Sequence, residues 1–382
     1  MPARRVLYLH SSAGRYGADR QLQLLATTLD PARYQPLVVL PFEGPLAVDL
    51  RAAGVEVMTG PMAVLRREHM SPLGLSRLHR ELTHQRSSLE RLIAARDVDI
   101  VHANTSVILG GRTASAAAGI RYVVHVREIY PQRPVVWPWH RRELRRADAV
   151  LCVSEATREP LGGGPNLHVV HDGLAFSAEP AARPASRLAL GLPPGAFVVA
   201  VLGRISAWKG QEVLLRALAE PPMAVRGTVG VVAGDAWPGQ ERHEKRLHDL
   251  AAELGLGDRL RMTGFREDVG TLYGAADVVV VPSTRPDPLP NSALEAAAAG
   301  CCVVAAAHGG LPEIVRDGQT GVLVAPGDAG ALAVALAALA DDPERRSALG
   351  SAAAADVRER FAPQRLAQAV MARYDALPRA SA

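Results

Sequence analysis

The sequence predicts two consecutive doubly wound α/β domains, and three observations lead there. The chain has 382 residues, more than one ordinary domain holds and the natural length for two. Along both halves, short apolar runs rich in β-branched residues alternate with segments of helical pattern. Between the halves, residues 176–195 carry Pro180, Pro184, Pro193 and Pro194 with little periodicity, and read as an interdomain linker. The expected division is 1–180, 181–361 and a closing helical tail, 362–382, that returns to the first domain.

Each element follows from its local pattern. In the first half RRVLYLH, QPLVVL, VEVM, DIVHAN, YVVHV and AVLCVS are nearly continuous in hydrophobicity, as parallel strands buried on both faces must be. DRQLQLLATTL and GRTASAAAGI between them read as helices and complete βαβ units. The second half offers strands FVVAVLG, GVVAGD, RLRMTG, DVVVVPS, CCVVAAA and GVLVAP. Its helices are GQEVLLRALAE, RHEKRLHDLAAEL and SALEAAAAG, with amphipathic helices over 329–376 closing the chain. Sheets of this kind bind ligands beyond the carboxyl ends of their strands, so the expected site is a cleft between the two domains.

Composition narrows the function. Hydrophobic residues make up 48% and charged residues 21%, which suits full cores rather than disorder. No apolar run nears the roughly 18 residues that cross a bilayer, and the short run after Arg4-Arg5 is no signal peptide. Cys152, Cys301 and Cys302 provide neither a disulfide framework nor a CxxC pair. A soluble cytoplasmic protein is the expectation. Residues 1–180 hold 22 Arg, no Lys and 17 Asp/Glu, for a net charge of +5, whereas the remainder is at −1. LRREH, RLHRELTHQR and WHRRELRR suit an anionic membrane surface or anionic acceptor, or simply solvated helix faces. They lack the aromatic interleaving of nucleic-acid binders.

Two stretches carry chemistry. In DPLPNSALE, Ser292 and Glu295 have the spacing of a capping box, with Gly300 ending the helix, which by itself explains Glu295. A helix N-terminus also offers free N–H groups to an oxygen-rich ligand, and Pro286, Pro288 and Pro290 stiffen the loop before it. In VLGRISAWKG, Gly203-Arg204 ends the strand that opens the second domain and Lys209 follows, two cations at a carboxyl end where phosphates bind. DVD at 97–99 has the spelling of a metal-binding motif but precedes its strand, the wrong end for a site. His102, His125 and His171 end strands without metal-ligand spacing. GxGxxG is absent at both first βα turns, which argues against a nicotinamide-dependent oxidoreductase.

GRISAWKG, GFREDVGTLYGAADVVVVPS and DPLPNSALEAAAAGCCVVAAAHGGLPEIVRDGQTGVLVAPGD together resemble the retaining glycosyltransferase family 4, which has the GT-B fold: two Rossmann-like domains with parallel sheets facing across a cleft. The resemblance covers most of 197–330 and is weaker in the first half, where such enzymes bind acceptor. It implies a metal-independent, retaining glycosyltransferase that needs no cofactor. The donor is a nucleotide-diphosphate sugar, UDP-sugar favoured over GDP-sugar. The acceptor is a hydroxyl of a sugar or lipid-linked molecule, in a cell-surface glycan, glycolipid or secondary metabolite. Peripheral contact at the inner face of the membrane through the basic first domain is compatible with it; nucleic acid is not expected.

By that resemblance Glu295 bonds the nucleotide ribose. Asp287, where the family motif has Glu, meets the donor sugar, and Leu289, Pro290, Asn291 and Ser292 support the sugar hydroxyls. Gly203, Arg204 and Lys209 take the diphosphate, and Gly264, Phe265 and Arg266 lie by the base. Gly17, where the family has a Gly-Gly loop, allows close approach to the phosphates. His125 matches the family's active-site histidine, with Arg127 and Glu128 on the acceptor side, so the catalytic set is His125, Arg204, Lys209 and Asp287. A nucleotide-sugar epimerase of the same architecture and a non-catalytic sugar-nucleotide-binding protein are the alternatives.

Overall fold

The β-branched runs form two parallel sheets. The computed structural model describes residues 2–65, 69, 72–130, 136–175, 179–237 and 239–379. The chain divides into two units, 1–175 with 362–382, and 176–361.

The first unit alternates β1 (Arg4–Leu9), α1 (Gly17–Thr28), β2 (Tyr34–Leu40), α2 (Pro45–Ala52), β3 (Glu56–Thr59), α3 (Pro72–Ala95), β4 (Ile100–Ala103), α4 (Gly111–Ala117), β5 (Arg121–Val126), α5 (Val136–Leu144), β6 (Ala149–Cys152), the short α6 (Glu155–Arg158) and β7 (Leu167–Val169). Its strands are ordered β3-β2-β1-β4-β5-β6-β7 and all pair in parallel. Side chains alternate to opposite faces, and two apolar clusters result. Val6, Tyr8, Val38 and Leu151 lie on one face, and Leu7, Leu9, Val101 and Val124 on the other. Each such side chain, fully buried, contributes about 1.5–3 kcal/mol.

The second unit runs α7 (Arg183–Ala189), β8 (Val198–Leu202), α8 (Gln211–Ala219), α9 (Pro221–Ala224), β9 (Val229–Ala233), α10 (Arg242–Glu253), β10 (Leu260–Gly264), α11 (Val269–Ala275), β11 (Val278–Val281), α12 (Asn291–Ala298), β12 (Cys302–Ala306), α13 (Leu311–Ile314), β13 (Val322–Val324), α14 (Ala329–Asp341) and α15 (Pro343–Arg360). Its sheet, β10-β9-β8-β11-β12-β13, is parallel throughout. In both sheets the order reverses between the first and fourth strands of the unit, the switch point at which doubly wound sheets take ligands.

The chain then returns to the first unit as α16 (Pro363–Ala376). Leu366, Val370 and Tyr374 join the first unit's core, and the Tyr374 hydroxyl lies 2.9 Å from that of Tyr8. Arg4 donates to the Tyr374 carbonyl at 2.6 Å, and Tyr34 to Asp375 at 2.6 Å.

Three readings of the sequence change. The stretch 176–195 is not a free linker. Residues 176–178 lie outside the described residues, but Pro184 sits in the first turn of α7, where its fixed φ favours a helix start. Ala181 N–H donates to Gly270 at 3.0 Å, and Arg187 pairs with Asp277 at 2.8 Å. Helix α3 lies where the sequence shows mainly basic runs; within LRREH, residues 66–68 are outside the described residues. Strand β7 is three residues long, too short to show a period. Among the described residues no helix is long and apolar enough to cross a membrane.

Candidate functional site

In the second unit, three adjacent strands end in glycine. Gly203 after β8 has φ 136°, Gly234 after β9 has 141°, and Gly264 at the end of β10 has 66°. A Cβ on Gly234 would stand 2.1 Å from the Gly203 carbonyl oxygen, so the strand ends approach closely only because side chains are absent. Around this floor stand the residues singled out from the sequence. The Arg204 guanidinium lies 3.6 Å over the Trp237 ring, and Gln211 donates to the Arg204 carbonyl at 3.0 Å. Phe265 is half exposed and its N–H donates to Asp235 at 2.7 Å. Arg266 is held by both oxygens of Asp268.

Lys209 is positioned by the glycine after it. Gly210 (φ 78°) caps α8, and a Cβ there would lie 1.8 Å from the Pro282 carbonyl oxygen. The start of α8 is thus pressed against the end of β11. There Lys209 Nζ donates to Asp287 Oδ2 at 2.7 Å, with the Trp208 ring 4.5 Å away. Asp287 is buried and accepts also from the Ser283 hydroxyl at 3.3 Å. Its loop is braced by Gly309 and Gly310. The Gly310 N–H donates to the Asp287 carbonyl at 2.7 Å, and a Cβ on either glycine would collide with the Asp287 or Pro288 backbone.

The expected capping box does not form. Helix α12 starts at Asn291, with Pro290 as its N-cap, so Ser292 is the second helical residue and Glu295 the fifth. Pro290 has no side-chain acceptor to offer a cap. Glu295 accepts instead from the Tyr273 hydroxyl at 3.3 Å. Leu289 is buried, and Asn291 and Ser292 are partly exposed. Gly300, at φ 77°, does close the helix. Two helix N-termini and two cations therefore gather at the carboxyl ends of this sheet, an arrangement that stabilises negative charge.

In the first unit the corresponding strand ends carry a buried polar network. His10, after β1, bonds Asp19 at 2.8 Å and Asn104 at 3.2 Å. Burial pushes the Asp19 carboxyl up, but its interactions with His10, Ser12 and the Tyr16 N–H together outweigh it and hold it below the usual range. Arg127 is ion-paired with buried Asp172 and donates to the Asn104 carbonyl at 2.9 Å. Burial raises the Asp172 carboxyl against the pull of that arginine. Glu128 accepts from Thr105 and Ser106, and the latter lies 2.7 Å from the Tyr130 hydroxyl. His125 is fully buried and stacks on His102 with ring centroids 5.4 Å apart. Its ring nitrogens are buried and close no hydrogen bond of ordinary geometry. Burial, then the charge of Arg127, holds it neutral far below the usual imidazole range. Gly17 is the first residue of α1.

The structure thus brings Arg204, Lys209, Asp287, Glu295 and Gly264–Arg266 to one end of the second sheet, and His125, Arg127 and Glu128 to one end of the first. Sequence reading passed over His10, Asp19, Asn104, Asp172, Trp237 and Tyr273. His10 and Asp172 follow strands directly and were findable by that rule; the others depend on three-dimensional neighbours. Asp99, in DVD, precedes β4 and accepts from the Arg5 N–H at 2.7 Å, away from these ends.

Two family models cover nearly all of the chain. Residues 16–175 match "Glycosyltransferase Family 4" and residues 182–356 match "Glycosyl transferases group 1". The chain belongs to glycosyltransferase family 4, group 1. Its two parallel-sheet units make this family member a GT-B protein. A D-inositol 3-phosphate glycosyltransferase of Streptomyces bingchenggensis is 38% identical over 222 residues, 54% of this chain and 48% of the relative. One of Streptomyces scabiei is 40% identical over 226 residues, covering 56% and 50%. The family-4 chain spans about half the length of the curated relatives it matches. Among solved structures, Anabaena HepE in complex with UDP-glucose superimposes with a TM-score of 0.81 at 26% identity, over 98% of this chain and all of the other.

Proposed function

We propose that this family-4 member transfers a sugar from a nucleotide-diphosphate donor, UDP-sugar in preference to GDP-sugar, to an acceptor hydroxyl with retention of configuration and without a metal. The observation that carries the reading is the Lys209–Asp287 contact at the start of α8, beside the N-terminus of α12. HepE, similar over its whole length, binds UDP-glucose, which favours the uridine donor.

As the bond from the anomeric carbon to the diphosphate breaks, negative charge grows on the leaving oxygens. Arg204, Lys209 and the helix ends stabilise that charge from fixed positions, as preorganised dipoles must to lower a barrier. Asp287 holds the ammonium of Lys209 and accepts from a sugar hydroxyl. Glu295, released from any capping duty, binds the ribose. A donor-phosphate oxygen takes the acceptor proton on the same face, so no separate base is required. His125, neutral at physiological pH, serves as an uncharged hydrogen-bonding group. Arg127 and Glu128 bind acceptor in the first unit.

The test is incubation with UDP-, GDP-, ADP- and dTDP-sugars in the presence of EDTA, with hydroxyl acceptors and with none. Expected are release of the nucleoside diphosphate, EDTA-insensitive turnover and a product whose anomeric configuration, read by NMR, equals the donor's. Inversion, or activity restored only by Mg²⁺ or Mn²⁺, would overturn the mechanism. Conversion of the sugar without any acceptor would assign an epimerase.

A further inference from the structure

The second unit has a cavity of about 600 Å³ that the proposed function does not use. It lies at the amino ends of the sheet, where Asp277 precedes β11 and Cys301 precedes β12. The donor residues all follow their strands, so the two places are at opposite edges of one sheet.

Its charge is unbalanced. Asp277 is the one acid among the lining residues, and three arginines converge on it: Arg183 at 2.5 Å, Arg187 at 2.8 Å and Arg346 at 3.4 Å. The Val198 N–H takes a further share at 2.8 Å. Three hydrogen bonds, from Arg183, Arg187 and the Val198 N–H, reach the two carboxylate oxygens, and Arg346 adds a looser ion pair. Arg183 also reaches the Ala276 carbonyl, at 3.5 Å, and Arg346 the Leu339 carbonyl at 2.5 Å, with the Phe197 ring 5.4 Å from its guanidinium. Both line the cavity and both retain guanidinium donors that these contacts do not use. Burial, and next the charge of Arg183, pulls Arg187 below the ordinary arginine range, a sign of crowded cations.

The backbone adds to the same field. Helix α15 begins at the cavity, with Pro343, its first residue, and Ser347 among the lining. It is 18 residues long, and its N-cap Asp342 accepts from the Arg345 N–H at 2.8 Å, so part of its positive end is already met by a carboxylate. A surplus of arginine at a helix N-terminus, around a space within the range of small-molecule sites, fits phosphate in particular.

We infer that this cavity binds a phosphate-bearing small molecule, gripped by Arg183 and Arg346 over the N-terminus of α15. The site is independent of the donor and rests on no assignment made for it.

The test is calorimetric titration of the full chain with inorganic phosphate and with glucose 6-phosphate. The titration is run with and without saturating UDP, which fills the donor end and is expected to leave phosphate binding at the cavity intact. Arg183→Gln/Arg346→Gln is expected to weaken it by about tenfold or more, the loss of a charge-assisted bond. Arg51→Gln, which breaks the exposed pair with Glu43 in the first unit, is the matched control for lost charge and is expected to titrate like wild type. Arg183 is half exposed, so Arg183→Gln alone decides the matter if the double variant fails to fold. Tighter binding of the sugar phosphate assigns the site to an ester, tighter binding of phosphate to the free ion; either supports the inference. Absence of binding in the wild-type chain, unchanged affinity in the arginine variants, or loss of binding in saturating UDP would overturn it. UDP titrated separately against Lys209→Ala reports on the donor reading alone.

Discussion

Lys209 and Asp287, 78 residues apart in the chain, meet at 2.7 Å at the carboxyl edge of the second sheet. Lys209 has one-quarter of its side chain exposed, and Asp287 is 6% exposed. The carboxylate thus depends on the ammonium more than the reverse, because the buried partner has no water to fall back on. Lys209→Ala is expected to reduce turnover by about 10²–10³, the scale for losing one fixed charge at a developing anion. Asp287→Asn should retain affinity for the bare nucleoside diphosphate while lowering turnover. Titration with UDP alongside steady-state rates separates these outcomes, and wild-type rates in both variants would end the assignment.

Glu295 gives a cleaner test than its sequence context suggested. As the fifth residue of α12 it caps nothing, so Glu295→Gln should leave the melting temperature unchanged. If the carboxylate binds ribose hydroxyls, affinity for nucleoside diphosphate falls by roughly 1–3 kcal/mol, the range for charge-assisted hydrogen bonds. Tyr273→Phe, which removes only the hydroxyl at 3.3 Å, should cost less. Equal UDP affinities across the three proteins would return Glu295 to a structural role.

Acid should destabilise the first unit earlier than its carboxylates alone require. Burial pushes His102 down to about 3 and His140 down to about 4, and His125 is also far below the usual range. Their folded forms are neutral and resist protonation, whereas the unfolded chain takes protons near pH 6.5. The stability they represent is complete above that pH and declines as pH falls toward 4 and 3, by at most about 1.4 kcal/mol per pH unit for each histidine. Chemical denaturation at pH 7, 6 and 5 measures the slope. His140→Phe should make it shallower by one histidine's share, and a flat profile would contradict the account.

Tyr374 ties α16 to the first sheet through a single oxygen that touches both Tyr8 and His102. Tyr374→Phe leaves those two buried polar groups without this partner, and a loss of about 1–3 kcal/mol in unfolding free energy is expected. The same change should leave UDP affinity nearly untouched, since the residues proposed to bind the nucleotide, Gly17 apart, belong to the other unit. An unaltered denaturation midpoint would show that the two groups find other partners.

Much of this was legible in the chain. Continuous runs such as VVVV at 278–281 admit few readings other than buried parallel strands, and the Gly203-Arg204 and Asp287–Glu295 stretches do follow strands of the second sheet, as their patterns imply. The first unit's site was less legible because its parts are ordinary residues brought together by pairing. Asp172 means little until Arg127, 45 residues earlier, is seen beside it. The capping box failed for a local reason: a proline held extended at ψ 119° already occupies the cap position, so the helix begins before Ser292. The supposed linker failed because proline, read as a breaker, also starts helices.

One detail of the return by α16 has a wider consequence. A Cβ on Gly173 would lie 3.4 Å from Pro363 Cα, so the chain leaves the first unit and re-enters it at neighbouring points. The second unit is, in topological terms, a guest spliced into a single position of its host. The host's fold is closed only by residues that follow the guest in the chain, after the whole guest has emerged from the ribosome. The guest has both its ends and its complete sheet before that moment, so the half assigned to the donor is finished first and the half assigned to the acceptor waits for α16.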